Sequence, residues 1–182
     1  VTRKPPMTAK LDKVVRATMM DKVQLLMIRM AWHSAPAFAD GDAELDLLGA
    51  VLSSGKTSRL YKRMVFDDKT AVDVAAYQDD AGLGSMFHID ITCAPGADLD
   101  LIEKTVDQEV ARLGKDGITV AELDERKAGY ELSKLSQLQS IEAVADKLNQ
   151  YEYVWGEPNS FKRDLDRYRN ATPAKVQWWA MQ

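Results

Sequence analysis

Between Ser85 and Ala94 the chain alternates without a break: Phe87, Ile89, Ile91 and Cys93 are apolar, and His88, Asp90 and Thr92 between them are polar. A backbone of period two puts these sets on opposite faces, so the segment is a half-buried strand with one wetter face. Ala71 to Gln78 has similar β-forming character, and Asp79-Asp80-Ala81-Gly82-Leu83-Gly84 supplies a turn, so the two segments predict an antiparallel pair. The apolar face of such a pair requires a second layer.

That layer is written upstream and downstream. Ala43, Leu47, Leu48, Val51 and Leu52 recur at helical spacing, with Asp40 or Asp42 as cap and Gly55 at the end. A short helix from Ser58 to Asp68 follows. Leu99 to Leu113 reads as a helix stopped by Gly114, and Thr119-Val120-Ala121-Glu122 is a capping box opening a long helix towards Tyr153 with a break near Ser140. Gly156-Glu157-Pro158 ends that helix, Asn159 or Ser160 opens the next, and Thr172-Pro173 starts the last. Before all of these, Lys13 to Met20 and Val23 to Trp32 are rich in Val, Ile and Met and read as strands around Asp21-Lys22. Strands grouped apart from helices predict an α+β two-layer sandwich of a mostly antiparallel sheet against helices, rather than βαβ units. Residues 1–10, with Pro5-Pro6, read as a linker or tail, and residues 11–182 as a single domain of the size one core supports.

A net charge of -4 argues against a nucleic-acid surface, and a charged residue interrupts each apolar stretch before membrane-spanning length. One cysteine, Cys93, cannot form an intrachain disulfide and continues the apolar alternation as a small core residue. Only His33 and His88 are histidines, with no His-x-x-Glu-His, so no metal site and no catalytic residue is expected in this segment. Asp67-Asp68 and Asp79-Asp80 fall where solvated charge is ordinary. The chain reads as a piece of a longer protein. Trp178 and Trp179 are adjacent on the last helix and cannot both face one core, so one is expected against a missing element or a second copy of the fragment.

The run Gly55-Lys56-Thr57-Ser58-Arg59-Leu60-Tyr61 supports two incompatible chemistries. Ala50-x-x-x-x-Gly55-Lys56-Thr57 matches the outline of a phosphate-binding loop. Such a loop, however, follows a strand and needs close backbone approach, whereas here a helix precedes Gly55 and Ser53-Ser54 replace the glycines. The other reading is a helix-to-helix connector with a Gly stop and a Thr/Ser start.

The connector also carries a resemblance. Ala31-Trp32-His33-Ser34-Ala35-Pro36, Asp46-Leu47-Leu48-Gly49-Ala50-Val51-Leu52 with the following Gly55 to Tyr61, Ala76-Tyr77-Gln78-Asp79, Ala94-Pro95-Gly96 and Ala145 to Tyr151 resemble, in order and spacing, the carboxy-terminal-type domain of pitrilysin (insulinase-like) zinc metallopeptidases. The last of these, with Trp155-Gly156-Glu157-Pro158, is most similar to the second domain of the long bacterial members. The resemblance covers about Val23 to Gln182 and implies an α+β sandwich without the family's zinc ligands, which belong to an upstream domain. It also implies a substrate-gripping Arg and Tyr seven residues apart, whose positions fall here on Val65 and Val72. Gly55, Ser58, Arg59, Leu60 and Tyr61 are then family signature residues, Arg59 bonding nearby carbonyls and Tyr61 packing with a polar tip.

The resemblance therefore implies a non-catalytic domain of a zinc metalloendopeptidase, inactive alone, with partners in an upstream zinc domain, a second half of the same enzyme and a peptide substrate. A second reading is a scaffold in a parent whose zinc motif has decayed; a third is nucleotide binding through Gly55-Lys56-Thr57. An exported or periplasmic parent follows from the resemblance alone.

Overall fold

The structure, a computed structural model, describes residues 10–182, so residues 1–9 of the expected tail lie outside the described residues. Three strands form an antiparallel sheet in the order β1-β3-β2: β1 Met27–Ser34, β2 Ala71–Asp79 and β3 Ser85–Cys93. The register runs from Met27↔Thr92 to Ser34↔Ser85 on one side of β3 and from Ala71↔Cys93 to Asp79↔Met86 on the other, with a bulge between Ala71 and Asp73. Helices α1 (Asp42–Ser53) and α3 (Leu99–Asp116) cover one face, as the alternation in β3 requires. Between them α2 (Arg59–Tyr61) widens into a π-helical turn over Lys62–Asp67, marked by the Asp68 amide donating to Arg63 O at 2.8 Å. Ile89, Ile91 and Val74 meet Leu47, Val51, Ile102 and Val106 in one core, each side chain almost wholly buried. Burial of each such side chain is worth about 1.5–3 kcal/mol.

Four more helices follow, α4 Val120–Gln137, α5 Ile141–Trp155, α6 Phe161–Arg169 and α7 Pro173–Ala180; α4, α6 and α7 pack on α1, and α7 also on α3, so that Leu123, Tyr168 and Val176 join the same core. The break at Ser140 is present, with its hydroxyl accepting from the Ala143 amide at 3.3 Å. Thr172 caps α7 through the Lys175 amide, and Pro173 sits in the first turn, where no amide is needed.

Four local expectations are corrected. Lys13 to Met20 forms no strand, and the second expected strand is confined to Met27–Ser34, because among the described residues nothing pairs with the outer edge of β1. Helix α3 runs through Gly114 to Asp116, since a mid-helix glycine costs only about 1 kcal/mol; Gly117, with φ of 74°, makes the stop. Neither Asp40 nor Asp42 caps α1: Gly41 holds that position, and the Asp42 carboxylate is spent on tertiary bonds. His88 is not on a wet face. It is buried, its ring stacked on the cross-strand Tyr77 at 5.4 Å.

Candidate functional site

The signature run folds as a tight corner. Helix α1 ends as the Ser54 amide donates to Ala50 O at 2.9 Å, and Gly55 turns the chain with φ of 80°. Space does not demand glycine there, since a Cβ would meet nothing nearer than Arg126 Nη1 at 3.8 Å; the left-handed backbone does. The buried Ser58 hydroxyl donates back to Gly55 O at 2.7 Å, and the Lys62 amide closes the first turn of α2 on Ser58 O at 2.8 Å. Leu60 enters the core completely.

Two arginines fasten this corner to α4. Arg59 Nε and Nη2 grip both oxygens of Glu122 at 2.9 Å, and Nη2 also donates to Gly117 O at 2.9 Å, just before α4 begins. One turn further along α4, Arg126 Nη1 donates to Ser54 O at 2.7 Å and its Nη2 to Thr57 Oγ1 at 3.2 Å. Both partners of the Arg59–Glu122 pair are largely shielded from water. The fork geometry favours the charged forms: the Glu122 bond holds Arg59 above its ordinary range, and Arg59 holds Glu122 below the usual carboxylate range. Arg59 thus bonds a carbonyl, as expected, but one 58 residues away, and its carboxylate partner was not anticipated. Thr119 does cap α4, accepting from the Glu122 amide at 3.1 Å, while the Glu122 carboxylate grips Arg59. Tyr61 packs against Phe66 at 5.8 Å between centroids.

Lys56 and Thr57 are exposed in a corner that joins helix to helix, so the structure lacks the strand-to-helix setting of a phosphate loop. Val65 is half-buried against the core, whereas Val72 is exposed at the β2 bulge. His33 and His88 lie on adjacent strands, and among the described residues no group of three metal-holding side chains exists, so these residues do not fit a zinc ion. Cys93 is buried in the core, where burial pushes its thiol up. Trp179 packs on the core and Trp178 is exposed, the two rings meeting edge to face at 4.8 Å.

A second, buried polar cluster ties α1 to the outer helices. Arg167 of α6 bridges Asp42 and Asp164 at 2.7 Å each. Asp164 also accepts from the buried Tyr151 at 2.9 Å. Burial alone would raise Asp164, but Lys134 and Arg167 outweigh it and hold the carboxyl below its ordinary value. Asp46 accepts from Tyr168 at 2.7 Å, and Tyr130 donates to Tyr168 at 2.6 Å. Here no cation is in bonding range, and burial pushes Asp46 up to about 6. Burial, then the Asp46 charge, drives Tyr168 far upward. The one local hint of this cluster is an aspartate set between the buried Leu45 and Leu47.

Fold and corner together define a class: an α+β sandwich whose helix-to-helix corner is braced to α4 by two arginines. The family model described as "Peptidase M16 inactive domain" matches residues 2–130, and the chain belongs to that family. This agrees with the expected pitrilysin-type sandwich and with a non-catalytic domain. No curated protein matches. A protease from Helicobacter pylori is 21% identical over 89% of this chain and 39% of its own, with a TM-score of 0.79. The inactive peptidase domain of a candidate zinc protease from Bordetella parapertussis is 22% identical over 85% of this chain and 81% of its own, TM-score 0.74. The periplasmic protease PqqL from Escherichia coli is 16% identical over 85% of this chain and 17% of its own, TM-score 0.62. These likenesses show the fold, and the chain spans about two fifths of the Helicobacter protein it matches.

Proposed function

We propose that this domain braces and encloses the zinc-bearing domain of a metalloendopeptidase that hydrolyses peptides, and that it is inactive alone. The observation that carries this reading is the fate of Arg59: within a family of inactive peptidase domains, its guanidinium is spent on Glu122 and Gly117 inside the domain. A signature kept for internal bracing serves a wall of the peptidase chamber rather than its chemistry. Val65 and Val72, at the positions the resemblance assigns to the substrate-gripping pair, offer a peptide backbone no polar side chain. The zinc, held by other parts of the parent, would polarise the scissile carbonyl and activate water. The peptide substrate, the upstream zinc domain and the second half of the enzyme are partners of that parent, and an exported parent fits the periplasmic location named for one of the matched structures.

The test mixes the purified chain with the His-x-x-Glu-His-bearing segment of its own parent. The chain alone should bind no stoichiometric zinc and cleave no fluorogenic peptide, and the mixture should cleave. Cleavage by the chain alone, or a zinc segment equally active without it, contradicts the proposal. A parent lacking the zinc motif would favour the scaffold reading.

A further inference from the structure

The first turn of α1 is buried and uncapped. Asp42, Ala43 and Glu44 are 3%, 3% and 6% exposed, yet no side chain caps the helix. The Leu45 amide closes on Gly41 O at 2.9 Å, whereas the Ala43 and Glu44 amides find no acceptor among the described residues. Buried helix starts ordinarily satisfy such amides with a cap or a ligand. Here both residues line a cavity of about 320 Å³ that α1 shares with α6, α7 and the loop before α1.

A side chain in the same cavity is unsatisfied as well. The buried Glu44 carboxylate accepts no hydrogen bond among the described residues, and its partner cation, Lys175 Nζ, stands 3.7 Å away, outside hydrogen-bonding reach. Asp40 and Asn170 add further acceptors, and Phe38 supplies an apolar wall. The loop is already fixed, because the Phe38 amide donates to Asp42 Oδ2 at 2.8 Å and the Ala39 amide to Pro36 O at 3.0 Å. Charge then selects the kind of ligand. Arg167 also lines the cavity, but Asp42 and Asp164 neutralise it. What is left is Lys175 and the helix N-terminus, worth roughly +0.5 of a charge, against Asp40 and Glu44. Nearly balanced charges of both signs complement a dipolar molecule better than a lone anion or cation. The volume is at the low end for small-molecule sites, so that molecule is small.

We propose that this cavity binds a free α-amino acid as its zwitterion. The α-carboxylate accepts from the Ala43 and Glu44 amides and from Lys175, the α-ammonium donates to Glu44 and Asp40, and an apolar side chain lies against Phe38. The site is independent of the peptidase reading, which stands or falls by other experiments.

The test screens the free protein amino acids against the purified chain at up to about 20 mM, reading the amide resonances of Ala43 and Glu44 and then titration calorimetry. At least one apolar amino acid should bind saturably and move both resonances. Its N-acetyl derivative, which lacks the ammonium, and its carboxamide, which lacks the carboxylate, should each bind about tenfold or more weakly. Lys175→Ala, at a side chain 58% exposed, should fold normally and weaken the amino acid about tenfold while leaving the carboxamide unchanged. Glu44→Gln keeps the buried shape and should weaken the amino acid while leaving the N-acetyl derivative unchanged. The proposal is overturned if no amino acid saturates, if either derivative binds as tightly as its parent, or if Lys175→Ala has no effect. Inorganic phosphate moving the two resonances as far as the amino acid does would also overturn it, since that would mean an anion site only.

Discussion

Replacing Asp46 with asparagine isolates the cost of burying one carboxylate without a cation. Asp46 sits on α1 between Leu45 and Leu47, accepts from Tyr168, and is pushed from an ordinary 3.8 to about 6 by burial first, with the Asp80 and Asp42 charges adding to it. The native state therefore holds its proton more tightly than the unfolded chain. Stability from this group is present below about pH 4 and is lost as pH rises through about 6. Native and unfolded values lie about 2 pH units apart, so the full loss is about 3 kcal/mol, of which about 2 kcal/mol falls between pH 4.5 and 7.5. Asparagine keeps the acceptor for Tyr168 and cannot ionise. Urea unfolding of both proteins across that range should show Asp46→Asn gaining about 2 kcal/mol on the parent as pH rises, or roughly 4–8 °C in midpoint temperature. Subtracting one protein from the other cancels the titrating groups that do not interact with Asp46, and leaves Asp46 with its coupling to Asp80 and Asp42. A difference that stays flat with pH, or that moves against the variant, would refute the assignment of Asp46 as a carboxylate strained by burial.

The Arg59 fork predicts that Arg59→Lys, which keeps the charge but loses the bidentate grip, destabilises by about 1–2 kcal/mol in chemical denaturation, and Arg59→Ala by more. Asp164→Asn removes the carboxylate held low by Lys134 and Arg167, leaving the shielded Lys134 without its carboxylate and Arg167 with Asp42 alone; it should cost about 3 kcal/mol at pH 7, and much less at a pH low enough to protonate the native carboxyl. Gly41→Ala places a Cβ 1.9 Å from Trp179 Cζ2 at a φ of 93°, so a loss of about 2–4 kcal/mol and a change in tryptophan emission are expected. Lys56→Ala should leave stability unchanged, and titration with millimolar ATP should give no saturable binding to either protein, because no strand feeds the corner.

What could be read in advance was local in sequence. The alternation in β3 carries its own period, and Thr119, Ser140 and Thr172 cap helices through amides three residues on, so those elements stood where expected. A strand is only half of a structure, which is why the same β-forming composition succeeds at Met27–Ser34 and fails at Lys13 to Met20: β3 is present to pair with the first, and among the described residues nothing pairs with the second. His88 fails for a related reason. Its place in the alternation assigns it to the outer face, but Tyr77 lies opposite it across the ladder and covers it, a fact of register rather than of neighbours in sequence.

The polar sites lie further from local reach. Glu122 has a local meaning, the last residue of a four-residue capping box, and Arg59 has another, the start of a short helix; each is complete without the other. Nothing in the sequence between two residues 63 positions apart says that they meet in a fork. Yet Gly55, Ser58 and Leu60 make that meeting necessary: the left-handed turn, the hydroxyl folded back on Gly55 O and the fully buried leucine leave Arg59 projecting towards the start of α4. The signature can therefore mark a family without touching a substrate, because what it specifies is the direction in which a guanidinium leaves a corner. In this domain that direction ends on Glu122, and the test of its purpose is whether breaking the fork loosens the domain before it affects any peptide.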